Sequence, residues 1–140
     1  METLSIDLGA GRFPKHPEAI QVDKPDYDLE QPIPFQTDWA DIIYAEDVLE
    51  HIKNLVGLMN ECHRILKTGG KMSITVPYYK HPDAFSDPTH IRYFTENSMK
   101  YFTEYTSDSV CNFDYGIKKW GNLEQHLNEE GNKLFIVLTK

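Results

Sequence analysis

Hydrophobic residues along the chain fall into short apolar runs that alternate with polar, proline-rich segments. Four of these runs predict strands, at Thr3–Leu8, Ala19–Asp23, Ala40–Ala45 and Lys71–Val76. Runs that are apolar at successive positions are typical of parallel strands buried on both faces. Two later runs, Val110–Trp120 and Lys133–Thr139, predict an antiparallel pair. The pattern predicts an α/β fold, a reduced Rossmann-like doubly wound sheet that is mostly parallel and has an antiparallel C-terminal edge hairpin.

One long helix is predicted between the third and fourth strands. Apolar residues recur there every three or four positions from Val48 to Leu66, which is typical of an amphipathic helix. Gly57 predicts a break into two helices. The helix is predicted to end at Lys67–Gly70, where a basic residue precedes two glycines. A second, short helix is predicted over Glu96–Phe102, with Thr95 as its cap.

The connection between the first two strands is unusually short. It has only about ten residues and includes Pro14 and Pro17, whereas a parallel crossover needs a dozen or more. The usual first helix of a doubly wound fold is therefore predicted to be absent or reduced to a turn. The segment Lys24–Asp38, with three prolines, predicts a loop over the sheet edge.

Length, charge and cysteine content narrow the class of protein. The 140 residues are expected to form a single domain, 1–140. The net charge is −8, and no basic cluster exceeds Lys118–Lys119, so a nucleic-acid backbone is not expected as the main partner.

No apolar run approaches a membrane span of about 20 residues, and the first residues do not resemble a signal peptide. The two cysteines, Cys62 and Cys111, indicate no disulfide framework, and Cys62 is expected in the core. A reducing, cytoplasmic location is expected.

Candidate chemistry is concentrated where the first two strands end. The first strand reaches Asp7 and then the turn Gly9-Ala10-Gly11, and the second strand ends at Asp23. Glycine allows a sharp turn and lets a ligand approach the backbone, although a structural turn has the same sequence. In open α/β sheets, ligands bind beyond the carboxyl ends of the strands. A nucleotide-type cradle is therefore predicted at this edge.

Four elements together resemble the class I S-adenosylmethionine-dependent methyltransferases. They are the glycine turn, the acid Asp23, the segment Ala45-Glu46-Asp47-Val48-Leu49-Glu50-His51-Ile52, and the segment Arg64-Ile65-Leu66-Lys67-Thr68-Gly69-Gly70-Lys71. The resemblance covers about Leu4–Tyr79. A nicotinamide-binding fingerprint does not fit, because Pro14 replaces its third glycine and Asp23 follows too soon.

The resemblance implies S-adenosyl-L-methionine as cofactor and assigns residues to its parts. The amino-acid end and ribose would lie on Gly9, Ala10 and Gly11, with Asp7 facing the ammonium. Asp23 would accept the ribose hydroxyls, and Asp28 and Leu29 would hold the adenine. Ala45 and Glu46 would pass beneath the methionine part. Alternatively, Asp7 and Asp23 are solvated strand-end acids and Asp28 lies on a surface loop.

The long loop after the fourth strand is the expected wall of the acceptor site. His90 is the first candidate for a general base and His81 the second, because a histidine titrates near neutral pH. The alternative is that Asp87, Thr89, His90 and Arg92 hold the loop together by hydrogen bonds. His51 is interpreted as a structural histidine. No metal site is expected, because His81, His90 and Asp87 lack close ligand pairs.

The resemblance implies a methyltransferase that acts on a hydroxyl or amine of a small molecule or sugar. The alternative is a non-catalytic relative, a methyltransferase-like binding or partner protein. A protein or nucleic-acid substrate is not expected, since the sequence contains no substrate-binding extension or basic groove. A homodimer is possible if Tyr115, Ile117 and Trp120 form a dimer face instead of core.

Overall fold

The computed structural model describes residues 2–9, 11–24, 26–105 and 115–140. The strands are β1 (Ser5–Leu8), β2 (Ile20–Val22), β3 (Ala40–Glu46), β4 (Leu66–Pro77), β5 (Asn122–Leu127) and β6 (Lys133–Thr139). The α-helices are α1 (Leu55–Ile65) and α2 (Asp83–Ser86), and 3-10 turns cover Leu49–His51 and Ser98–Phe102.

These strands form one sheet with the order β2-β1-β3-β4-β6-β5. The first four are parallel, with Asp7 beside Gln21 in β2 and beside Tyr44 in β3. The last two form an antiparallel pair, and β6 runs antiparallel to β4. The predicted α/β fold with an antiparallel edge hairpin is confirmed.

One face of the sheet carries the hydrophobic core. Side chains alternate between faces along each strand, so Ile6 and Leu8 are buried while Asp7 points to the other face. Helix α1 packs on the core face through its buried stripe, Leu55, Leu58, Met59, Cys62 and Ile65. Cys62 is fully buried, as expected, and this burial raises the pKa of its thiol.

No helix forms in the described residues between β1 and β2, in agreement with the short connection. This segment instead places the His16 ring on the ring of Tyr44, with centroids 3.6 Å apart. His16 Nε2 lies 3.1 Å from Glu46 Oε1. The segment therefore covers the side of the sheet to which Asp7 points.

The predicted loop over residues 24–38 is tied to α1. Arg64 donates to the carbonyl oxygens of Ile33 and Phe35 and to the Glu61 carboxylate. Glu61 in turn accepts the amide of Ile33. These bonds hold the loop against the helix and fix one wall of the cleft described below.

Three details of the helix predictions were wrong. The interruption falls at Ile52–Asn54 and not at Gly57, because Asn54 caps α1 by accepting the Gly57 amide. The helix ends at Ile65 and β4 begins at Leu66, so Lys67–Gly70 belong to the strand. The predicted second short helix is a 3-10 turn over Ser98–Phe102.

The first strand of the C-terminal pair also lies later than predicted. The described residues 115–120 contain no strand, and residues 110–114 lie outside the described ranges. The strand is Asn122–Leu127. Trp120 is buried in the core, Ile117 packs against it, and Tyr115 is exposed. Across the described ranges, no helix has the length and apolar character needed to cross a membrane.

Candidate functional site

A cleft of about 510 Å³ lies at the carboxyl ends of β1 and β2 and beside the turn that follows β3. This volume is within the range of small-molecule sites, about 300–1,000 Å³. The cleft is lined by Gly9, Asp23, Lys24, Tyr27, Asp28, Leu29, Glu30, Asp47, Val48, His51, Ile52 and Lys53.

The glycine turn meets this cleft at Gly9, and Gly11 lies beyond the residues that line it. Gly9 and Gly11 have φ of 61° and 66°, which L-residues with a Cβ rarely adopt. The Gly9 amide donates to the carbonyl of Val22, which ties the turn to the end of β2. A Cβ on Gly11 would meet no atom within 4 Å, so the backbone there is open to a ligand. Ala10 lies outside the described residues.

Asp23 holds the glycine turn closed. Its Oδ2 accepts the amide of Gly11 at 3.0 Å, and its Oδ1 accepts the amide of Lys24 at 2.8 Å. Each carboxylate oxygen can accept more than one hydrogen bond. Asp23 can therefore support the turn and still accept hydroxyl groups from a ligand in the cleft.

The opposite wall is built by the start of the proline-rich loop. Asp28 Oδ1 accepts the amide of Glu30, which makes a local turn, and Leu29 is nearly buried beside it. The Glu30 carboxylate accepts the amides of Lys53 and Asn54, each at 3.0 Å. A polar group and an apolar side chain are thus presented on a fixed wall.

Besides Gly11, three strand residues assigned to the cofactor by sequence do not line the cleft. Asp7 is only 3% exposed and lies on the other face of the sheet, and Glu46 pairs there with Lys15 and His16. The Ala45 side chain is buried on the core face. The reason is strand alternation, which the position of an acid near a strand end does not reveal.

The surroundings of Asp7 raise the pKa of its carboxyl group. Burial raises the pKa of the Asp7 carboxyl and the nearby Glu46 charge adds to this, while the charge and backbone hydrogen bond of His16 act in the opposite direction. Burial is the largest of these effects because it disfavours the charged carboxylate.

A second cavity of about 260 Å³ adjoins the cleft, and Asp47 and His51 line both. It lies between the turn after β3 and the loop after β4. Its lining residues are Asp47, Glu50, His51, Pro77, Asp83, Asp87, His90 and Lys133. Asp47 has a positive φ of 57° and its carboxylate pairs with the Lys133 ammonium.

Glu50 is the residue of this cavity that sequence reasoning missed. Its side chain is 1% exposed, and neither carboxylate oxygen has a hydrogen-bond partner. Burial raises the pKa of Glu50 and the Asp47 charge raises it further, against the opposing influence of its own backbone, His51 and His90. The helical periodicity gave no sign of this burial, and the loop after β4 lies against Glu50, whose carbonyl accepts the Ile91 amide.

The structure separates the two histidines proposed as bases. His90 lines the cavity with a side chain only 9% exposed, and its Nδ1 lies 2.9 Å from the Ala84 carbonyl. His81 is outside the cavity lining and accepts the Asp83 amide at Nδ1. His90 is therefore the better placed of the two.

Hydrogen bonds also hold this loop together. The hydroxyl and amide of Thr89 both donate to Asp87, which lowers the pKa of that carboxyl. Arg92 donates to the carbonyls of Ile52 and Lys53. The loop network and the cavity-facing position of His90 coexist, since His90 hydrogen-bonds to the loop through Nδ1 while its Nε2 lies 3.6 Å from Asp87 Oδ2.

Tyr78 is held in the protein interior by a hydrogen bond to Glu96. Its hydroxyl donates to Glu96, and this bond raises the pKa of Tyr78 to about 12. The ring is buried beneath the loop, where it packs beside Tyr79.

Comparison with known proteins places the chain among methyltransferases. The profile of a family described as "Methyltransferase domain" matches residues 6–74, about half of the chain. No curated protein sequence matches.

Several solved structures share the fold. An S-adenosylmethionine-dependent methyltransferase from Thermotoga maritima, described as a possible histamine N-methyltransferase, has a TM-score of 0.69 at 14% identity, over 100% of this chain and 83% of that one. Phosphoethanolamine N-methyltransferase 2 from Haemonchus contortus, in complex with S-adenosyl-L-methionine, has a TM-score of 0.67 at 13% identity, over 100% of this chain and 49% of that one.

A third similar structure is a Haloferax volcanii methyltransferase in complex with the Trm112 methyltransferase activator. Its TM-score is 0.66 at 12% identity, over 98% of this chain and 82% of that one. At these identities the three structures establish the fold alone.

Proposed function

The chain belongs to the class I S-adenosylmethionine-dependent methyltransferases, and we propose that it methylates a hydroxyl or amine of a small molecule or sugar. The observation that carries this proposal is the junction of the two cavities. The larger cleft and the smaller cavity share Asp47 and His51, so a donor in one would lie next to an acceptor in the other.

The residues of the larger cleft suit the cofactor. Asp23 lines the cleft and retains acceptor capacity for the ribose hydroxyls, and the backbone at Gly11, whose amide donates to Asp23, is open to close approach. Asp28 and Leu29 offer a carboxylate and an apolar surface for the adenine. The proposal therefore retains Gly9, Gly11, Asp23, Asp28 and Leu29, and it omits Asp7, Ala45 and Glu46.

Charge in the cleft also suits a cationic cofactor. Four carboxylates line it, from Asp23, Asp28, Glu30 and Asp47, against the two ammonium groups of Lys24 and Lys53. A cleft lined mainly by one sign of charge raises the local concentration of a ligand of opposite sign.

When bound, S-adenosyl-L-methionine supplies a methyl group on a positively charged sulfonium. The chain has to orient the acceptor, exclude water and take up the proton of a hydroxyl acceptor. Because His90 Nδ1 lies at the Ala84 carbonyl, that nitrogen carries the hydrogen, and Nε2, 3.6 Å from Asp87 Oδ2, has the lone pair that would accept the acceptor's proton. The volume of about 260 Å³ favours a small acceptor.

The test combines calorimetric titration with S-adenosyl-L-methionine and a radiolabelled methyl-transfer assay on a panel of small alcohols, sugars and amines. We expect binding by the wild type and labelling of at least one compound. His90→Asn should lower turnover of a hydroxyl acceptor by about 10²–10⁴-fold with cofactor affinity unchanged. An enzyme that binds no cofactor at millimolar concentration would contradict the proposal.

The second candidate is a non-catalytic partner subunit. Two observations favour it: both Asp23 oxygens already accept backbone amides, and a structure of the same fold is a complex with an activator protein. Cofactor binding without any methyl transfer, or the appearance of transfer only with a second protein, would favour this alternative.

A further inference from the structure

We propose that Glu50, His51 and His90 form a binding site for a divalent metal ion that prefers imidazole nitrogen, with Zn²⁺ as the representative case. One donor atom from each of the three residues lies within 4.8 Å of the other two. His51 Nε2 and Glu50 Oε1 are 3.6 Å apart. Ligand atoms around a tetrahedral ion with bonds of about 2.1 Å are separated by roughly 3.4 Å, so the His51–Glu50 pair is already close to that spacing and the cluster as a whole would contract around the ion.

Both imidazole rings are oriented as metal ligands are. His90 Nδ1 lies 2.9 Å from the Ala84 carbonyl, and His51 Nδ1 lies 3.2 Å from the Thr89 carbonyl. A carbonyl only accepts, so each Nδ1 carries the hydrogen and each Nε2 presents a lone pair. Metal-bound histidines typically donate their other ring nitrogen to a backbone carbonyl or carboxylate in this way.

These lone pairs face carboxylates instead of hydrogen-bond donors. His51 Nε2 lies at 3.6 Å from Glu50, and His90 Nε2 lies at 3.6 Å from Asp87 Oδ2. Nitrogen and oxygen lone pairs repel at such distances unless a cation stands between them. A proton on the carboxyl or imidazole groups satisfies this arrangement, and so does a shared metal ion, and the titrations below distinguish the two.

Glu50 adds to the site a buried carboxyl group without a hydrogen-bond partner. Its side chain is 1% exposed and neither oxygen has a hydrogen-bond partner. A buried, unpaired carboxylate is costly, and a bound cation removes this cost directly. The surrounding charge is also negative, because Asp47, Asp83 and Asp87 line the cavity against the single ammonium of Lys133.

Asp87 and Thr89 are not proposed as metal ligands. They hold the two histidines in position. Thr89 donates its hydroxyl and its amide to Asp87 Oδ1, and the same hydroxyl lies 3.0 Å from His51 Nδ1. This network connects the two histidines through the loop after β4. The sequence predicted no metal site because His81, His90 and Asp87 lack close ligand pairs, whereas the fold brings His90 to the adjacent pair Glu50 and His51.

The donor set indicates the class of ion. Two imidazoles with one carboxylate suit Zn²⁺ and other transition metals, whereas Mg²⁺ prefers oxygen ligands and water. Three protein ligands leave coordination positions open toward the cavity. Resting on the proposed function except for the role of His90 as base, since the metal would occupy its Nε2 lone pair, these positions would take oxygen atoms of the acceptor, which favours a hydroxyl-bearing acceptor over an amine.

The experiment measures metal binding and does not require activity. The whole chain is stripped of metal with a chelator and titrated with Co²⁺, whose d–d absorption reports imidazole coordination, and in parallel with Zn²⁺ and Mg²⁺ by calorimetry. We expect one saturable Zn²⁺ site and weaker or no Mg²⁺ binding. Glu50→Gln and His90→Asn should each weaken Zn²⁺ binding at least tenfold.

Two further variants keep the test decisive. His51→Asn changes a partly exposed ligand, so it is available if substitution of buried Glu50 prevents folding, which circular dichroism reports. The matched control is His126→Asn. His126 is an exposed histidine of β5 whose ring stacks on Phe135 of β6, and the variant should bind Zn²⁺ like the wild type.

No saturable binding by the wild type, or equal binding by the folded His51 and His90 variants, would overturn the metal proposal. Titration of the chelated protein with S-adenosyl-L-methionine separates the two ideas. Cofactor binding without metal binding leaves the proposed function intact and returns His90 to the role of base.

Discussion

Gly9 in the glycine turn lies directly against Val48, so that a Cβ on Gly9 would stand 2.7 Å from Val48 Cγ2. The turn after β1 and the segment after β3 therefore pack on each other at the floor of the cleft. Gly11, two residues later, has a similar φ but open space around its Cα. Gly9 is therefore needed for packing against Val48, whereas Gly11 leaves its backbone accessible to a ligand.

We expect Gly9→Ala to lower the free energy of unfolding by about 2–5 kcal/mol, because left-handed strain and a steric overlap add. Gly11→Ala should lower it by only about 1–2 kcal/mol, from strain alone. Urea denaturation followed by circular dichroism measures both. Equal losses for the two variants would contradict the packing role of Gly9.

His16 substitutes for the missing first helix by stacking on Tyr44, with ring planes 7° apart. His16→Ala should lower the free energy of unfolding by about 1–2 kcal/mol, since stacking and a partly exposed pair with Glu46 are both lost. His16→Phe keeps the stacking and should retain most of that stability. If His16→Phe is as unstable as His16→Ala, the contact with Glu46 and not the stacking is what matters.

Asp7 is expected to limit stability at neutral pH. Its folded-state pKa is raised above the unfolded value, chiefly by burial, so the unfolded state releases its proton first as pH rises. Stability is therefore lost as pH rises through the raised pKa, and this loss is absent below the unfolded value. Asp7→Asn should be more stable than the wild type near pH 7, and the difference should shrink towards pH 4.

Denaturation of both proteins between pH 4 and pH 8 checks this prediction, and cofactor titration of the same samples adds a second readout. Because Asp7 lies outside the cleft, the affinity of Asp7→Asn for S-adenosyl-L-methionine should stay within a few-fold of the wild type. A hundredfold or greater loss of affinity would show that Asp7 belongs to the cofactor site and would contradict this prediction.

The fold was largely predictable because its strands are short apolar runs bounded by prolines and glycines. The parallel strands, the C-terminal hairpin and the absence of the first helix followed from that pattern. The interruption at Ile52–Asn54 did not, since it depends on the Asn54 side chain capping α1. The position of the strand Asn122–Leu127 was predicted wrongly because its residues are mostly polar, as suits the edge of a sheet.

The candidate site was only partly predictable, for a geometric reason. Asp23 and Asp28 follow a strand and line the cleft, whereas Asp7 lies within a strand and points to the opposite face. Glu50 could not be found from sequence because its burial depends on the distant loop that carries Ile91 and His90. Contacts between segments forty residues apart leave no periodic signal in the sequence.

Asp23 should contribute directly to cofactor affinity. Removing its carboxylate in Asp23→Ala should weaken S-adenosyl-L-methionine binding by about 1–3 kcal/mol, roughly 5- to 150-fold, since a charged hydrogen bond is lost. Asp26→Ala, in the same loop and with the same change of net charge, is the matched control and should bind like the wild type.

Calorimetric titration of the wild type, Asp23→Ala and Asp26→Ala with S-adenosyl-L-methionine tests the central claim most directly. The claim is that the cleft beside Gly9, Asp23 and Asp28 is the cofactor site. We predict one binding site per chain, unchanged in Asp26→Ala and at least fivefold weaker in Asp23→Ala. Absence of heat with the wild type at millimolar cofactor, or equal affinity in all three proteins, would contradict it.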